Sequence, residues 1–118
     1  LSGMTTNILQ KKFSGMGLTT GNIEGTAWVL NKPILELPQS FNKKSTILIA
    51  PAVDAGWIPT FSQVSGVVVD TGGDLSHGSI ILRELGIPAI TNATGVFKYI
   101  KTGDKVSLIA GQGVLLKK

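Results

Sequence analysis

The chain has 118 residues, enough for one domain with a sizeable core, and its 42% hydrophobic and 15% charged residues are a globular balance rather than a disordered one. It has no cysteine, which excludes a disulfide scaffold and a thiolate metal site, and no apolar run near the roughly 20 residues that cross a bilayer. The net charge is +4, but lysines fall in scattered pairs (Lys11-Lys12, Lys43-Lys44, Lys117-Lys118) without interleaved aromatics, so neither nucleic acid nor a membrane is expected as a partner.

The chain opens on Leu1, without Met and without the basic-then-apolar order of a signal peptide. It is expected to be a segment of a longer, cytoplasmic protein. Residues 1–13 are polar and aperiodic and read as a linker or the remnant of a preceding domain, with the domain proper over residues 14–118. The glycine-rich stretch 14–21 reads as a flexible lead-in, and residues 25–30 (Gly-Thr-Ala-Trp-Val-Leu) as a strand. Pro33 and Pro38 mark a loop that reaches Lys44. Residues 46–50, closed by Pro51, form a short continuous apolar run, the pattern of a buried strand. Residues 56–64 hold a short helix with Pro59 near its first turn.

Residues 66–70 are β-branched and give a second buried strand. A helix is predicted over residues 77–85, with Ser76 as N-cap and Gly86 as the stop. Residues 88–90 read as a short strand and residues 96–100 as one or two helical turns. Residues 105–109 and 113–116 face each other across Ala110-Gly111-Gln112, a hairpin signal. The expectation is an α/β or α+β domain with a mixed sheet, of about six strands and two or three short helices.

The stretch Gly72-Gly73-Asp74-Leu75-Ser76-His77-Gly78-Ser79 holds the single histidine of the chain, where a glycine-rich turn becomes a helix. A helix start offers unpaired backbone N–H groups and the positive end of the macrodipole, and so suits an anion. The site follows a strand's carboxyl end, where ligands favour α/β sheets. An imidazole placed there is suited to carry a phosphoryl group. Taken alone, a single histidine is more often structural or simply exposed than catalytic, and Gly72-Gly73 also reads as a plain turn and Ser76 as a plain cap. At about 100° per residue, Ile80, Ile81, Leu82 and Leu85 fall on one broad arc expected to pack on the sheet, with Ser79 and Arg83 one turn apart on the opposite side. There is no P-loop, and the glycines at 15, 17 and 21 miss the dinucleotide-binding spacing and precede a strand instead of following one.

These residues resemble the mobile, swivelling phosphohistidine domain of enzymes that use phosphoenolpyruvate, a family that includes pyruvate phosphate dikinase, pyruvate water dikinase (phosphoenolpyruvate synthase) and rifampicin phosphotransferase. The family signature is a Gly-Gly pair, a hydroxyl- or Cys-bearing residue before the active His, and a helix ending in Arg-Glu-Leu-Gly-Ile-Pro-Ala. Gly72, Gly73, Ser76, His77 and residues 83–89 match it. Residues 21–27 are similar to the family's opening strand, residues 54–59 to a segment of the synthase and rifampicin branches, and residues 103–106 with 111–114 to its closing hairpin. Two positions depart. Leu75 stands where many members carry a Thr that is the regulatory phosphorylation site in plant dikinases, and Gly78 replaces the usual Ala or Thr.

The resemblance implies a swivelling β/β/α fold with mixed sheets, short helices and an active His at a helix N-terminus. It implies that His77 is the phosphate carrier, supported by Gly72, Gly73, Ser76, Gly78, Ser79 and by Arg83, which on a different helix face would meet the partner domain or the phosphate. Its partners would be the nucleotide-binding and phosphoenolpyruvate or acceptor domains of a parent phosphotransferase. Those domains would supply Mg²⁺, with no metal or cofactor held here and no turnover by this domain alone. The alternative is a stand-alone phosphocarrier or docking module of the same fold.

Overall fold

A computed structural model of the chain describes residues 11–34, 36–72 and 76–118, with Ser76 and His77 described by backbone alone. Thr46–Ala50 (β4) and Gly66–Val69 (β5) are buried at every position. Both faces of these strands are covered, which is why the sequence reads there as unbroken apolar runs instead of alternating. Ile47, Ile49 and Val68 point to one core. Leu48, Ala50, Val67 and Val69 point to a second. The strand period of two sends successive side chains to opposite faces and makes this split.

The remaining strands are Lys11–Ser14 (β1), Met16–Gly17 (β2), Asn22–Val29 (β3), Ala89–Thr91 (β6), Lys105–Ile109 (β7) and Val114–Lys117 (β8). They join one mixed eight-stranded sheet in the order β1-β8-β7-β3-β4-β5-β6-β2. The pairs β3–β4, β4–β5 and β5–β6 are parallel, while β3–β7, β7–β8, β1–β8 and β2–β6 are antiparallel. The two outermost strands, β1 and β2, are one run of chain with Gly15 as its joint. That run pairs with β8 on one side and β6 on the other, so the sheet closes on itself.

Gly15 is required at the joint. A methyl group on its Cα would strike the Thr91 carbonyl oxygen and stand 2.9 Å from the Ala93 nitrogen. The Gly15 N–H donates to the Gly113 carbonyl at 2.7 Å, tying the joint to the start of β8.

Phe13, Ala27, Val106, Leu108 and Leu115 fill the enclosed core together with Val96 and Ile100 from the Val96–Tyr99 helix (α3). The outer core lies under the Ile58–Phe61 helix (α1) and the Ser76–Leu85 helix (α2), and contains Trp28, Trp57, Phe61 and Leu82. Asp54 starts the turn before α1: its Oδ1 accepts from the Gly56 N–H at 2.9 Å, and the turn delivers Trp57 to the core.

The α/β expectation with a mixed sheet and short helices holds. The sheet gains two short strands beyond the expected six, β1 and β2. The boundary expected after Phe13 falls inside β1, because Lys11–Ser14 pairs with Val114–Lys117 and Phe13 is buried. The polar flanks of that strand face water and hide the one side chain that points inward. The broad apolar arc on α2 narrows to a single fully buried residue, Leu82. Ile81 is half-buried, and Ile80 and Leu85 are exposed. Only one side of the helix touches the sheet, so a 200° arc cannot all be covered. Among the described residues no helix is long and apolar enough to cross a membrane.

Candidate functional site

Three parallel strands end side by side where β5 gives way to Asp70-Thr71-Gly72, and side chains cross-tie those ends. The Asp70 N–H donates to the Ala50 carbonyl at 2.9 Å. The Thr71 hydroxyl donates to the Pro51 carbonyl at 2.9 Å, beyond the end of β4. From beyond the other neighbour, the Ala93 N–H donates to the Val69 carbonyl at 3.0 Å. Thr91, buried at the end of β6, donates its hydroxyl to the Thr71 carbonyl at 2.9 Å. Asp70 Oδ2 accepts from the N–H groups of Gly95 (3.1 Å) and Phe97 (3.0 Å) and so caps α3. A carboxylate accepting two backbone N–H groups is a strong anchor.

From this platform the chain runs to α2. The helix begins at Ser76, so Ser76 stands inside it and not before it, and His77 is its second residue. His77 lies in the first turn, where backbone N–H groups have no partner within the helix. Gly73 and the side chains of Ser76 and His77 lie outside the described residues. Gly78 faces Phe61, and a methyl group on it would stand an ordinary 3.7 Å from the Phe61 ring. Ser79 is half-buried on the next position.

The helix stops as the sequence predicts. Gly86 has φ +70°, its N–H donates to the Arg83 carbonyl (3.1 Å), and the Ile87 N–H donates to the Leu82 carbonyl (3.0 Å). This is the Schellman arrangement, with Ile87 and Leu82 both in the outer core. It fixes the last turn and thereby the axis along which the first turn points.

Arg83 sits in that last turn, six residues beyond His77, which is about 9 Å further along the axis at 1.5 Å per residue. It lines a cleft of about 540 Å³ with Gly17, Leu18, Thr19, Thr20, Gly86, Ala110 and Gly111. The structure therefore brings Gly72, Gly78 and Ser79 to the mouth of α2 and places Arg83 at its far end. Among the described residues no group of three or more His, Asp or Glu side chains is placed to hold a metal ion.

Sequence reasoning missed Asp70, Thr91 and Asn92. The first two are ordinary polar residues at strand ends, with no motif to mark them. Asn92 has φ +57° and is the only non-glycine residue with positive φ among those described. Its side-chain amide lies against Gly72.

The family of PEP-utilising enzyme mobile domains matches residues 42–113, more than half of the chain. Rifampicin phosphotransferase of Bacillus cereus is 30% identical over 92% of this chain and 12% of its own length. A probable phosphoenolpyruvate synthase of Staphylothermus marinus is 34% identical over 86% of this chain and 12% of its own length. The chain thus spans about an eighth of the curated relatives it matches. Among solved structures, an NMR solution structure of Enzyme I is similar over 62% of this chain and 30% of that chain, with a TM-score of 0.56 and 29% identity.

Proposed function

Because the chain belongs to the family of PEP-utilising enzyme mobile domains, we propose that it carries a phosphoryl group on His77 within a multidomain phosphotransferase. The observation that carries this reading is the position of His77 in the first turn of α2, directly after the tied ends of β4, β5 and β6. Neutral imidazole is a good nucleophile near neutral pH because its ordinary pKa is about 6.5. Its ring nitrogen attacks phosphorus, the bond from phosphorus to the donor's oxygen breaks, and the imidazole proton leaves to solvent. The phosphoramidate so formed then yields its group to an acceptor, and one transfer is split into two steps.

The backbone N–H groups of the first turn, near Gly78 and Ser79, meet the phosphoryl oxygens, with the hydroxyls of Ser76 and Ser79 beside them. Arg83, at the far end of the helix, meets a partner domain. The donor and acceptor sites belong to nucleotide-binding and phosphoenolpyruvate or other acceptor domains of the parent. Those domains hold Mg²⁺ and the Arg and Lys groups that phosphoryl transfer requires. The parent is a cytoplasmic enzyme of the synthase or rifampicin-phosphotransferase kind, a reading favoured by the named relatives and by residues 54–59.

The test is labelling of the parent protein with radioactive phosphoenolpyruvate or ATP, followed by mass spectrometry in alkaline buffer. One phosphate on His77, stable to base and lost in acid, is expected. A His77→Ala variant that labels as well as wild type overturns the reading.

A further inference from the structure

Asn92 is exposed at the carboxyl end of β6 and holds a left-handed backbone conformation at φ +57°. Such a backbone disfavours most side chains, and asparagine is among the few that tolerate it. The residue is set in place from both sides. Thr91 before it is tied to the Thr71 carbonyl, and Ala93 after it to the Val69 carbonyl. Both bonds lead to the end of β5. Between them the Asn92 amide rests against Gly72, so closely that a methyl group on residue 72 would stand 2.6 Å from Oδ1 and 3.2 Å from Nδ2. The missing side chain of Gly72 is thus replaced by the amide of Asn92. A glycine at 92 would suit the backbone at least as well, so what asparagine adds here is the amide.

We propose that Asn92 is a positioning residue of the phosphoryl-carrying site, which rests on the carrier reading of His77. Its amide packs against Gly72 and sets the direction in which the chain leaves β5 for α2. It therefore sets the aim of the first-turn N–H groups at a phosphoryl group on His77. The effect is carried through Gly72, and contact of Asn92 with the phosphoryl group is not required.

Potassium phosphoramidate, a small reagent that phosphorylates histidine without a partner enzyme, tests this on the protein itself. The imidazole nitrogen forms the new bond to phosphorus, the P–N bond of the reagent breaks, and ammonia leaves with the imidazole proton. Asn92→Gly keeps the backbone conformation and removes the amide. It is expected to fold with an unchanged thermal midpoint and to label His77 about tenfold more slowly, the scale of effect expected of a small misplacement. Gly72→Ala pushes the amide away and is expected to lose a similar factor. The double variant Gly72→Ala/Asn92→Gly is expected to label no more slowly than Asn92→Gly alone, because the two changes act on one contact. In denaturant all four proteins are expected to label alike, since the intrinsic reactivity of the imidazole is unchanged. Wild-type labelling by folded Asn92→Gly, or losses that multiply in the double variant, overturns the assignment of Asn92 and leaves the carrier reading standing. A wild-type protein that takes no phosphate on His77 overturns the carrier reading and the assignment with it.

Discussion

The Thr91 hydroxyl donates to the Thr71 carbonyl over 2.9 Å and joins the end of β6 to the chain just past β5, on the path to the histidine helix. Thr91 is buried, so its hydroxyl has no water to turn to. Thr91→Val, of the same shape, removes the bond and is expected to lower stability by about 1 kcal/mol. Urea unfolding measures this, and hydrogen exchange should quicken at the Ala93 amide, which bonds to Val69 on the same pair of strands. An unchanged midpoint and unchanged exchange would show that the tie carries no stability.

Asp70 holds α3 from the other side of the same junction. Its Oδ2 serves both the Gly95 and Phe97 N–H groups, and Asp70→Ala is expected to cost about 1.5–3 kcal/mol, the range for hydrogen bonds to a charged group. Asp70→Asn keeps an acceptor oxygen and should lose less. Amide exchange at Gly95 and Phe97 is the direct readout: both should rise in Asp70→Ala before exchange in β4 and β5 does.

The narrowed face of α2 separates two neighbouring apolar residues. Leu82 is fully buried, so Leu82→Ala should destabilise by about 2–5 kcal/mol. Ile80 is 53% exposed, and Ile80→Ser should stay within about 0.5 kcal/mol of wild type. Equal losses in calorimetry or urea melts would mean that the helix is rotated from the position described.

Three glycines should answer alanine differently. Gly78 lies inside α2 with room for a methyl group, so Gly78→Ala should stabilise by about 0.5–1 kcal/mol through helix propensity alone. Gly86 has open space around it but φ +70°, so Gly86→Ala should cost about 1–2 kcal/mol of backbone strain. Gly15 meets the backbone of Thr91 and Ala93, which has no flexible end to give way, so Gly15→Ala should be the worst of the three. Melting temperatures in the order Gly78→Ala, Gly86→Ala, Gly15→Ala, from highest to lowest, are the expected result.

Much of this was legible in the residues. The unbroken runs at 46–50 and 66–69 announced strands covered on both faces, and Gly86 announced the helix stop. What stayed hidden was long-range. Phe13 sits among lysines and serine, and nothing nearby indicates that β8, a hundred residues on, turns it inward. The helical wheel ranked Ile80 with Leu82 because both are apolar, and a wheel does not know how wide the supporting surface is. At the candidate site, the Gly-Gly pair and the histidine drew the eye to the turn before α2, while Asp70, Thr91 and Asn92 make contacts with residues about 20 or more positions away. Such pairings leave no local period or motif.

Lys11 and Lys117 are paired across β1 and β8, neighbours one strand spacing apart, about 4.8 Å. The start of β1 and the end of β8, the first and last described strands, therefore lie side by side on the surface. Closing the sheet with its first strand thus brings the outer ends of β1 and β8 together at one margin of the body.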